Sequence, residues 1–304
     1  MFARLTRAGF LASLNKFGSL ENLRWDACGA LQLARDEKEE ASQRASIAGL
    51  ALPPEYAQLV TREEASAHAG VPVAAGGLWF PRAGWIQPRS LVNALLDACG
   101  ERLIRVFNKS YSFLDEKEPG NPVILATASD SLHPVPHARL RRVRGQITCL
   151  REEDLEAPHV VVLRGGMVLP PVEGLCVLGA SYDIDDDDPA PRAESDAGNI
   201  GRFKKILPLG EINSLNPGHR VGFRVVARDR LPLVGRLGAN LHASLAFGSR
   251  GLIWASLAAE ILASQLEGEP MPLEGKLLDA LDPARFAAKA RRREGSRGSL
   301  PSLP

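Results

Sequence analysis

The sequence predicts an α/β fold with one part of mixed α+β character, and three observations lead to this prediction. Apolar residues recur at helical spacing over residues 2–20 and again over the last part of 239–268. Short apolar runs typical of buried strands occupy 123–130, 160–170 and 175–183. The 304-residue chain is 45% hydrophobic and 24% charged, a globular composition with enough length for two intertwined domains.

Helices and strands alternate over the first hundred residues. The predicted elements are an amphipathic helix at 2–20, a strand at 28–35 and a charged helix at 36–48. Thr61 followed by Glu64 has the capping-box spacing, which predicts another helix start. Ser90 is expected to cap a helix that ends at Gly100, because glycine is the usual residue just past a helix end.

The remainder of the chain is richer in strands. The predicted elements are strands at 123–130 and 142–150, a hairpin formed by 160–170 and 175–183, a helix at 199–206, a turn at NPGHR (216–220) and then a strand. Residues 239–268 predict a strand, a glycine turn and a long helix. Residues 283–304 are basic and then rich in Gly, Ser and Pro, which is typical of a disordered tail.

Charge, cysteines and hydropathy exclude several classes of protein. The formal net charge of +1 gives no overall attraction to nucleic acid or anionic membranes, so any RNA contact must be local. Four scattered cysteines without a CxxC pair indicate neither a zinc site nor a disulfide framework, and they favour the reducing cytoplasm. No window reaches the roughly 18 apolar residues that a membrane-spanning helix requires.

An acidic run, DIDDDDP, raises the question of a calcium site. Asp183, Asp185, Asp187 and Glu194 fall on positions 1, 3, 5 and 12 of an EF-hand loop. The glycine that such a loop needs at position 6 is replaced by Asp188, and two prolines interrupt it. The sequence therefore predicts a solvated acidic loop and no metal site.

Three segments, GGLWFPRAGWIQPRSLVNALL (76–96), ASYDIDDDDPAPRAE (180–194) and the stretch from RDRLPLVGRL to DPARF (228–286), carry a family resemblance. In this order and spacing they resemble the oxidoreductase half of the bifunctional enzymes of tRNA 5-methylaminomethyl-2-thiouridine biosynthesis. Those enzymes lie within the broader family of glycine, sarcosine and D-amino-acid oxidases. The likeness runs from about residue 5 to 285, nearly the whole chain.

The resemblance implies a D-amino-acid-oxidase-like FAD domain interleaved with a mixed-sheet substrate domain. The segments implied for the FAD domain are 1–24, 86–140 and 224–282, and those for the substrate domain are 25–85 and 141–223. The chain has no GxGxxG turn, the motif that holds the FAD pyrophosphate in this superfamily. We therefore expect a remnant whose nucleotide-binding unit is truncated or comes from another chain, so that retention of FAD is an open question.

The implied reaction is FAD-dependent oxidation of the carboxymethylaminomethyl arm on the wobble uridine of tRNA, with glyoxylate released. The implied partners are tRNA and either a methyltransferase chain or the missing nucleotide-binding unit. Two alternatives stay open: a free amino-acid oxidase of the glycine or sarcosine type, and a non-catalytic remnant.

The resemblance also implies roles for particular residues. Arg224 is implied to hold the substrate carboxylate, with Arg250 as a second candidate, because a planar guanidinium suits a carboxylate. The residues implied to bind the cofactor are Gly145, Gln146, Gly248, Ser249, Gly251 and Leu252. A turn that needs glycine only for its backbone is the alternative interpretation for the last four, and Met167 is implied to lie near the substrate.

Two basic clusters offer contacts to tRNA phosphates. The first contains Arg139, Arg141, Arg142 and Arg144, and the second spans residues 289–297. A solvated face and a basic tail are the alternative interpretations.

Overall fold

Helices and strands alternate along the part of the chain that the computed structural model describes, namely residues 1–108, 121–128, 135, 138, 140–208, 212 and 217–288. The helices are α1 (Phe2–Gly18), α2 (Glu37–Leu50), α3 (Arg62–Ala69), α4 (Pro88–Cys99), α5 (Ala193–Ile206), α6 (Gly251–Glu267) and α7 (Gly275–Leu281). The strands are β1 (Trp25–Asp26), β2 (Ala30–Leu33), β3 (Gln58–Val60), β4 (Gly77–Phe80), β5 (Trp85–Ile86), β6 (Val123–Leu125), β7 (Arg141–Arg151), β8 (Val161–Leu163), β9 (Met167–Val168), β10 (Leu175–Gly179), β11 (Asp183–Ile184), β12 (Gly218–Val226), β13 (Leu233–Arg236) and β14 (Leu241–Leu245).

A mixed nine-stranded sheet forms the larger layer, in the order β11-β7-β10-β9-β8-β2-β4-β3, with β12 also paired to β7. β2 and β8 run parallel, and the other pairs in this sheet are antiparallel. Helix α5 packs on β7, β9 and β10, and buries Phe203 and Ile206 in the core of this layer. This sheet supplies one wall of the site described below.

A three-stranded sheet forms the second layer. β13 pairs antiparallel with β14, and β6 runs parallel to β14. Helix α6 packs on β13 and β14. Helix α1 crosses α6 closely at Gly9, where the lack of a side chain permits the approach: a Cβ there would lie 2.6 Å from the backbone oxygen of Ile253. The Ser13 hydroxyl donates hydrogen bonds to the backbone oxygens of Leu252 and Ile253, which ties α1 to the first turn of α6.

Local capping explains some of the helix boundaries. The capping box of Thr61 and Glu64 is confirmed at the start of α3. Gly100, with φ of +55°, ends α4 as predicted. Ser90 as the cap of α4 is wrong: the helix begins at Pro88, whose fixed φ suits a first turn, and the Ser90 hydroxyl instead donates to the backbone oxygen of Gln87.

Tertiary pairing changes three predicted elements. The segment 160–170 is a hairpin by itself, because β8 and β9 pair across Gly165 and Gly166, and β10 is a third strand beside β9. β12 begins at Gly218, inside the segment predicted as a turn, and it runs across the predicted domain boundary at residue 224. That division into two domains stays a prediction.

The first residues of the predicted basic tail, 283–288, are described and pack against the rest of the chain. Phe286 is buried in the core of the three-stranded layer, and Arg285 donates to both carboxylate oxygens of Asp229. Residues 289–304 lie outside the described part of the chain. Within the described part, the longest apolar helices are too short or too polar to cross a membrane.

Candidate functional site

A cavity of about 800 Å³ opens between the β7–β12 pair and the amino-terminal end of α6. Helix α1 and the β1–β5 pair close its other sides. Seven of the predicted site residues line it: Gly145, Arg224, Gly248, Ser249, Arg250, Gly251 and Leu252. These residues come from positions more than 100 apart in the chain, and the tertiary structure brings them to one space.

The register of β7 and β12 shapes the wall of this cavity. Gly145 stands directly opposite Gly222, and Arg220, Gly222 and Arg224 share one face of β12 because alternate residues of a strand point the same way. A Cβ at Gly222 would meet no atom within 4 Å. The sequence interpretation missed Gly222, although a glycine inside an apolar strand often marks close approach of a ligand.

The Arg224 guanidinium is a cation of the site that has no ion pair to a described residue. Its Nη1 atom is buried and has no hydrogen-bond partner among the described residues. The guanidinium lies over Gly145, where a Cβ would stand only 2.2 Å from Nη1. Burial lowers the pKa of Arg224 from its ordinary value, since leaving water disfavours the charged form. An anion in the cavity would satisfy both the missing hydrogen bond and the charge.

The turn before α6 contains two glycines with different reasons to be glycine. Gly248 has φ of +57° and a Cβ there would lie 2.8 Å from Cγ1 of Val226, so the chain itself requires glycine. Gly251 has φ of −55°, and its nearest contact would be an ordinary 3.6 Å to Cβ of Phe247. Contacts within the chain therefore require glycine at position 248 but do not require it at position 251.

The first turn of α6 faces the same cavity through Gly251, Leu252 and Ile253. The first backbone N–H groups of a helix have no partner inside the helix, and the helix dipole makes that end positive. Helix α6 therefore presents a partial positive charge to whatever occupies the cavity.

Three predicted residues are placed differently from the others. Arg250 lines the cavity, but its guanidinium carbon lies 4.6 Å from the ring centre of Phe2 and 5.8 Å from that of Trp254, in cation–π contact. Gln146 points away from the cavity, because it follows Gly145 on the strand and alternate side chains take opposite faces. Met167 lies in β9 and is not among the cavity-lining residues.

The side chain of Gln146 has a structural partner instead of a ligand. Its Nε2 donates to the backbone oxygen of Arg192, and its Oε1 accepts from Arg144 and from the Arg192 backbone N–H. The side chain of Gln146 is thus held away from the cavity, and a role of this residue in cofactor binding stays a prediction.

Arginines form ion pairs with the acidic run, most of which is exposed, so the loop is both solvated and paired. The ion pairs are Arg141–Asp185, Arg142–Asp187, Arg144–Asp183, Arg192–Asp186 and Arg192–Asp188. Within the described residues no group of His, Cys, Asp or Glu is arranged to hold a metal ion. The first basic cluster is thus largely neutralised by this loop, whereas Arg139 and the cluster at 289–297 lie outside the described residues.

Aromatic side chains that the sequence interpretation did not assign form much of the remaining wall. They are Phe10 and Phe17 of α1, Trp25 of β1 and Trp85 of β5. The short β1–β5 pair, in which Trp25 opposes Ile86 and Asp26 opposes Trp85, places both tryptophans there. Such two-residue strands carry no periodic signal, so only a non-local contact could reveal them.

Comparisons with known proteins agree over most of the chain. Residues 2–265 match the family model described as FAD dependent oxidoreductase (DAO). The chain is 39% identical to the tRNA 5-methylaminomethyl-2-thiouridine biosynthesis bifunctional protein MnmC of Azoarcus sp. (strain BH72), over 95% of this chain and 52% of that protein. It is 36% identical to the protein of the same name from Burkholderia pseudomallei (strain 668), over 95% of this chain and 51% of that protein. The chain thus spans about half the length of these relatives.

Solved structures show the same fold at low identity. L-proline dehydrogenase from P. horikoshii superposes with a TM-score of 0.72 and 17% identity, covering 94% of this chain and 83% of that one. Iminodiacetate oxidase from Chelativorans sp. BNC1 gives a TM-score of 0.70 and 20% identity, covering 93% and 83%. Glycine oxidase from Bacillus cereus ATCC 14579 gives 0.67 and 18%, covering 91% and 84%.

Proposed function

The chain belongs to the family of FAD-dependent oxidoreductases, and from that premise we propose that it oxidises the carboxymethylaminomethyl group on the wobble uridine of tRNA. The relatives that resemble it over 95% of its length are named for tRNA 5-methylaminomethyl-2-thiouridine biosynthesis. The observation that carries the proposal is the buried, unpaired Nη1 of Arg224 inside the cavity. A substrate arm that ends in a carboxylate would supply the missing partner.

The cavity fits the flavin ring of FAD, the cofactor of this family. Its volume of about 800 Å³ lies within the range of small-molecule sites. No side chain projects into it at the positions of Gly222 and Gly251. FAD, when bound, would supply an acceptor for hydride from a carbon next to nitrogen. The residues that would hold the ring are Gly145, Gly222, Gly248, Ser249, Gly251 and Leu252. No GxGxxG turn is present for the ADP half.

The chain's own residues have three tasks in this proposal. Arg224 holds the carboxylate and so orients the carbon between carboxylate and nitrogen. The positive end of α6 favours negative charge that develops near it. The aromatic walls exclude water while oxidation proceeds. Loss of two electrons from the arm leaves an imine, which water cleaves to a primary amine on the uridine and glyoxylate.

Partners and location follow from the same proposal. The primary amine is the group on which a methyltransferase chain would act next. The ADP half of FAD would be held by a nucleotide-binding unit that accompanies this chain. A cytoplasmic location fits a tRNA substrate and remains a prediction.

The first experiment is the absorbance spectrum of the purified chain between about 350 and 500 nm, before and after incubation with excess FAD and desalting. Retained flavin absorbance supports the cavity as the flavin site. A colourless chain argues that a complementing nucleotide-binding unit is needed, and the measurement is then repeated with that unit added.

The substrate is tested by glyoxylate release from tRNA that carries the carboxymethylaminomethyl group, with the Arg224→Gln variant beside the native chain. Release that depends on Arg224 supports the proposal. Turnover of free glycine or sarcosine without turnover of tRNA would assign the chain to the small-substrate oxidases, and no turnover of either substrate by a flavin-loaded chain would refute catalysis.

A further inference from the structure

A second cleft, of about 400 Å³, lies beside the cavity. It is lined by Arg141, Tyr182, Ile184, Val226, Ala227, Arg228 and Arg230. Val226 occupies the same face of β12 as Arg224, two residues further on and therefore about 7 Å away along the strand. Val226 also contacts the Gly248 turn of the cavity, since a Cβ at Gly248 would lie 2.8 Å from its Cγ1. The cavity and the cleft are thus neighbours at the end of β12.

Two guanidinium groups in this cleft carry unneutralised charge. Arg228 and Arg230 are exposed, and neither guanidinium has a hydrogen bond or ion pair to a described residue. The carboxylate between them in sequence, Asp229, faces away and binds Arg285, whose side chain is 7% exposed. Arg141 differs, because Asp185 already neutralises it. The turn therefore directs the guanidinium groups of Arg228 and Arg230 to the cleft, whereas the Asp229 carboxylate points away from it.

The turn that carries these arginines is fixed in place. The Arg230 backbone N–H donates to the oxygen of Ala227, and Arg230 has φ of +59°. Asp229 accepts from the Leu231 backbone N–H as well as from Arg285. Because the bridge to Arg285 is largely buried, it anchors the turn to the segment after α7 and holds Arg228 and Arg230 at the cleft.

The remaining lining of the cleft suits a nucleotide. Tyr182 is 41% exposed and can stack on a base or ribose, while arginine provides a planar donor fork for phosphate oxygens. Tyr182 lines the cleft together with Arg228 and Arg230. The cleft thus combines cationic side chains and an aromatic ring, and it lies next to the cavity in which Arg224 is proposed to bind a carboxylate.

We infer that the cleft formed by Tyr182, Arg228 and Arg230 binds the RNA backbone next to the nucleotide whose side arm enters the cavity. The inference rests on the proposed function and adds to it the surface that holds the tRNA phosphates. A net charge of only +1 makes this local pair of cations more significant, because no overall field would attract RNA. The basic cluster of β7 is a weaker candidate since its arginines are paired with the acidic loop.

The test measures binding of an unmodified anticodon stem–loop RNA by fluorescence anisotropy over a range of salt concentrations. The double variant Arg228→Gln/Arg230→Gln is expected to bind at least about tenfold more weakly, with the slope of log K against log salt smaller by about 0.7 for each phosphate that is no longer neutralised. The double variant with lysine at both positions should keep most of the slope. Arg44→Gln, which removes an exposed arginine paired with Glu40 on α2, is the matched control and should change little.

The outcomes separate this inference from the proposed function. An unchanged affinity and slope in the glutamine variant, or no RNA binding by the native chain, overturns the inference even if the chain oxidises tRNA or amino acids. Arginine-dependent RNA binding by a chain without oxidase activity supports the cleft and counts against the proposed function. Loss of RNA binding on addition of FAD alone would assign the two arginines to cofactor phosphates and also overturn the inference.

Discussion

The guanidinium of Arg224 occupies the space that a side chain at position 145 would fill, since a Cβ built on Gly145 would stand 2.2 Å from its Nη1 atom. Gly145 therefore leaves the space in which the Arg224 guanidinium lies, and this role is separate from any contact that Gly145 makes with a cofactor. The two residues lie on neighbouring strands, where Arg224 pairs with Val143 and Gly145 pairs with Gly222.

Gly145→Ala is expected to displace the Arg224 guanidinium while the fold is retained, because the displaced atoms are the flexible end of a side chain. Loss of one charge-assisted hydrogen bond to carboxylate, about 1.5–3 kcal/mol, should weaken substrate affinity by about tenfold to a hundredfold. Arg224→Gln should do the same, and the double variant should be no worse than either. If the effects of the two substitutions on KM are additive in the double variant, Gly145 does not act by positioning Arg224.

Gly251→Val is expected to abolish flavin retention without lowering the melting temperature of the flavin-free chain by more than a few degrees. The added side chain would enter the cavity, whereas the chain itself leaves an ordinary 3.6 Å contact at this position. The readouts are the flavin absorbance after desalting and a thermal melt. Gly49→Ala on α2, where a Cβ meets nothing within 4 Å, is the control. If Gly251→Val retains flavin, the flavin does not bind close to the start of α6.

Arg144→Met should destabilise the protein by about 3 kcal/mol or more, although the site lies elsewhere. Arg144 is fully buried and donates to the backbone oxygens of Asp188 and Ala190 and to Oε1 of Gln146. The variant would remove all three hydrogen bonds, and Gln146 Oε1 would keep only the Arg192 backbone N–H. Urea denaturation measures this change. The exposed pair of Arg151 with Glu153 offers the comparison, and Arg151→Met should cost less than about 1 kcal/mol.

The open edge of the small sheet should make the isolated chain prone to self-association. Among the described residues β6 pairs only with β14, and its Ile124 is 44% exposed. Ile124→Lys is expected to reduce light scattering of the concentrated chain. Leu175→Lys, at a similarly exposed leucine on β10, which is paired on both sides, should have a smaller effect. A monodisperse native chain would contradict this prediction.

Stability should fall between about pH 9 and pH 11, with one contribution from Cys176. Burial raises the pKa of this thiol from 9.0 to about 11, so the unfolded chain releases the proton first. The contribution is fully present below pH 9 and declines as the pH rises toward 11, at about 1.4 kcal/mol per pH unit within that window. The difference in unfolding free energy between the native chain and Cys176→Ala, measured by urea denaturation, should narrow over this range. Cys99→Ser, at an exposed thiol, is the control for removal of a thiol.

By itself the sequence determined the elements whose signals lie within a few residues, and the family. The capping box of Thr61, the end of α4 at Gly100 and the start of α6 after its glycine turn are local hydrogen-bond and backbone effects, so a short window carries them. The order of three separated segments identified the family because a relative keeps order and spacing even when contacts are unknown.

Only the tertiary structure decided which of these residues meet. A strand signal does not say which face is buried, and a shift of one residue exchanges the faces, so Gly145 at the cavity and Gln146 away from it required the register of β7 and β12. The opposition of Gly222 to Gly145 and the neutralisation of β7 arginines by the acidic loop join residues about 40 or more positions apart. No local pattern encodes such contacts, because their free energy comes from packing and charge pairing that form when the whole chain folds.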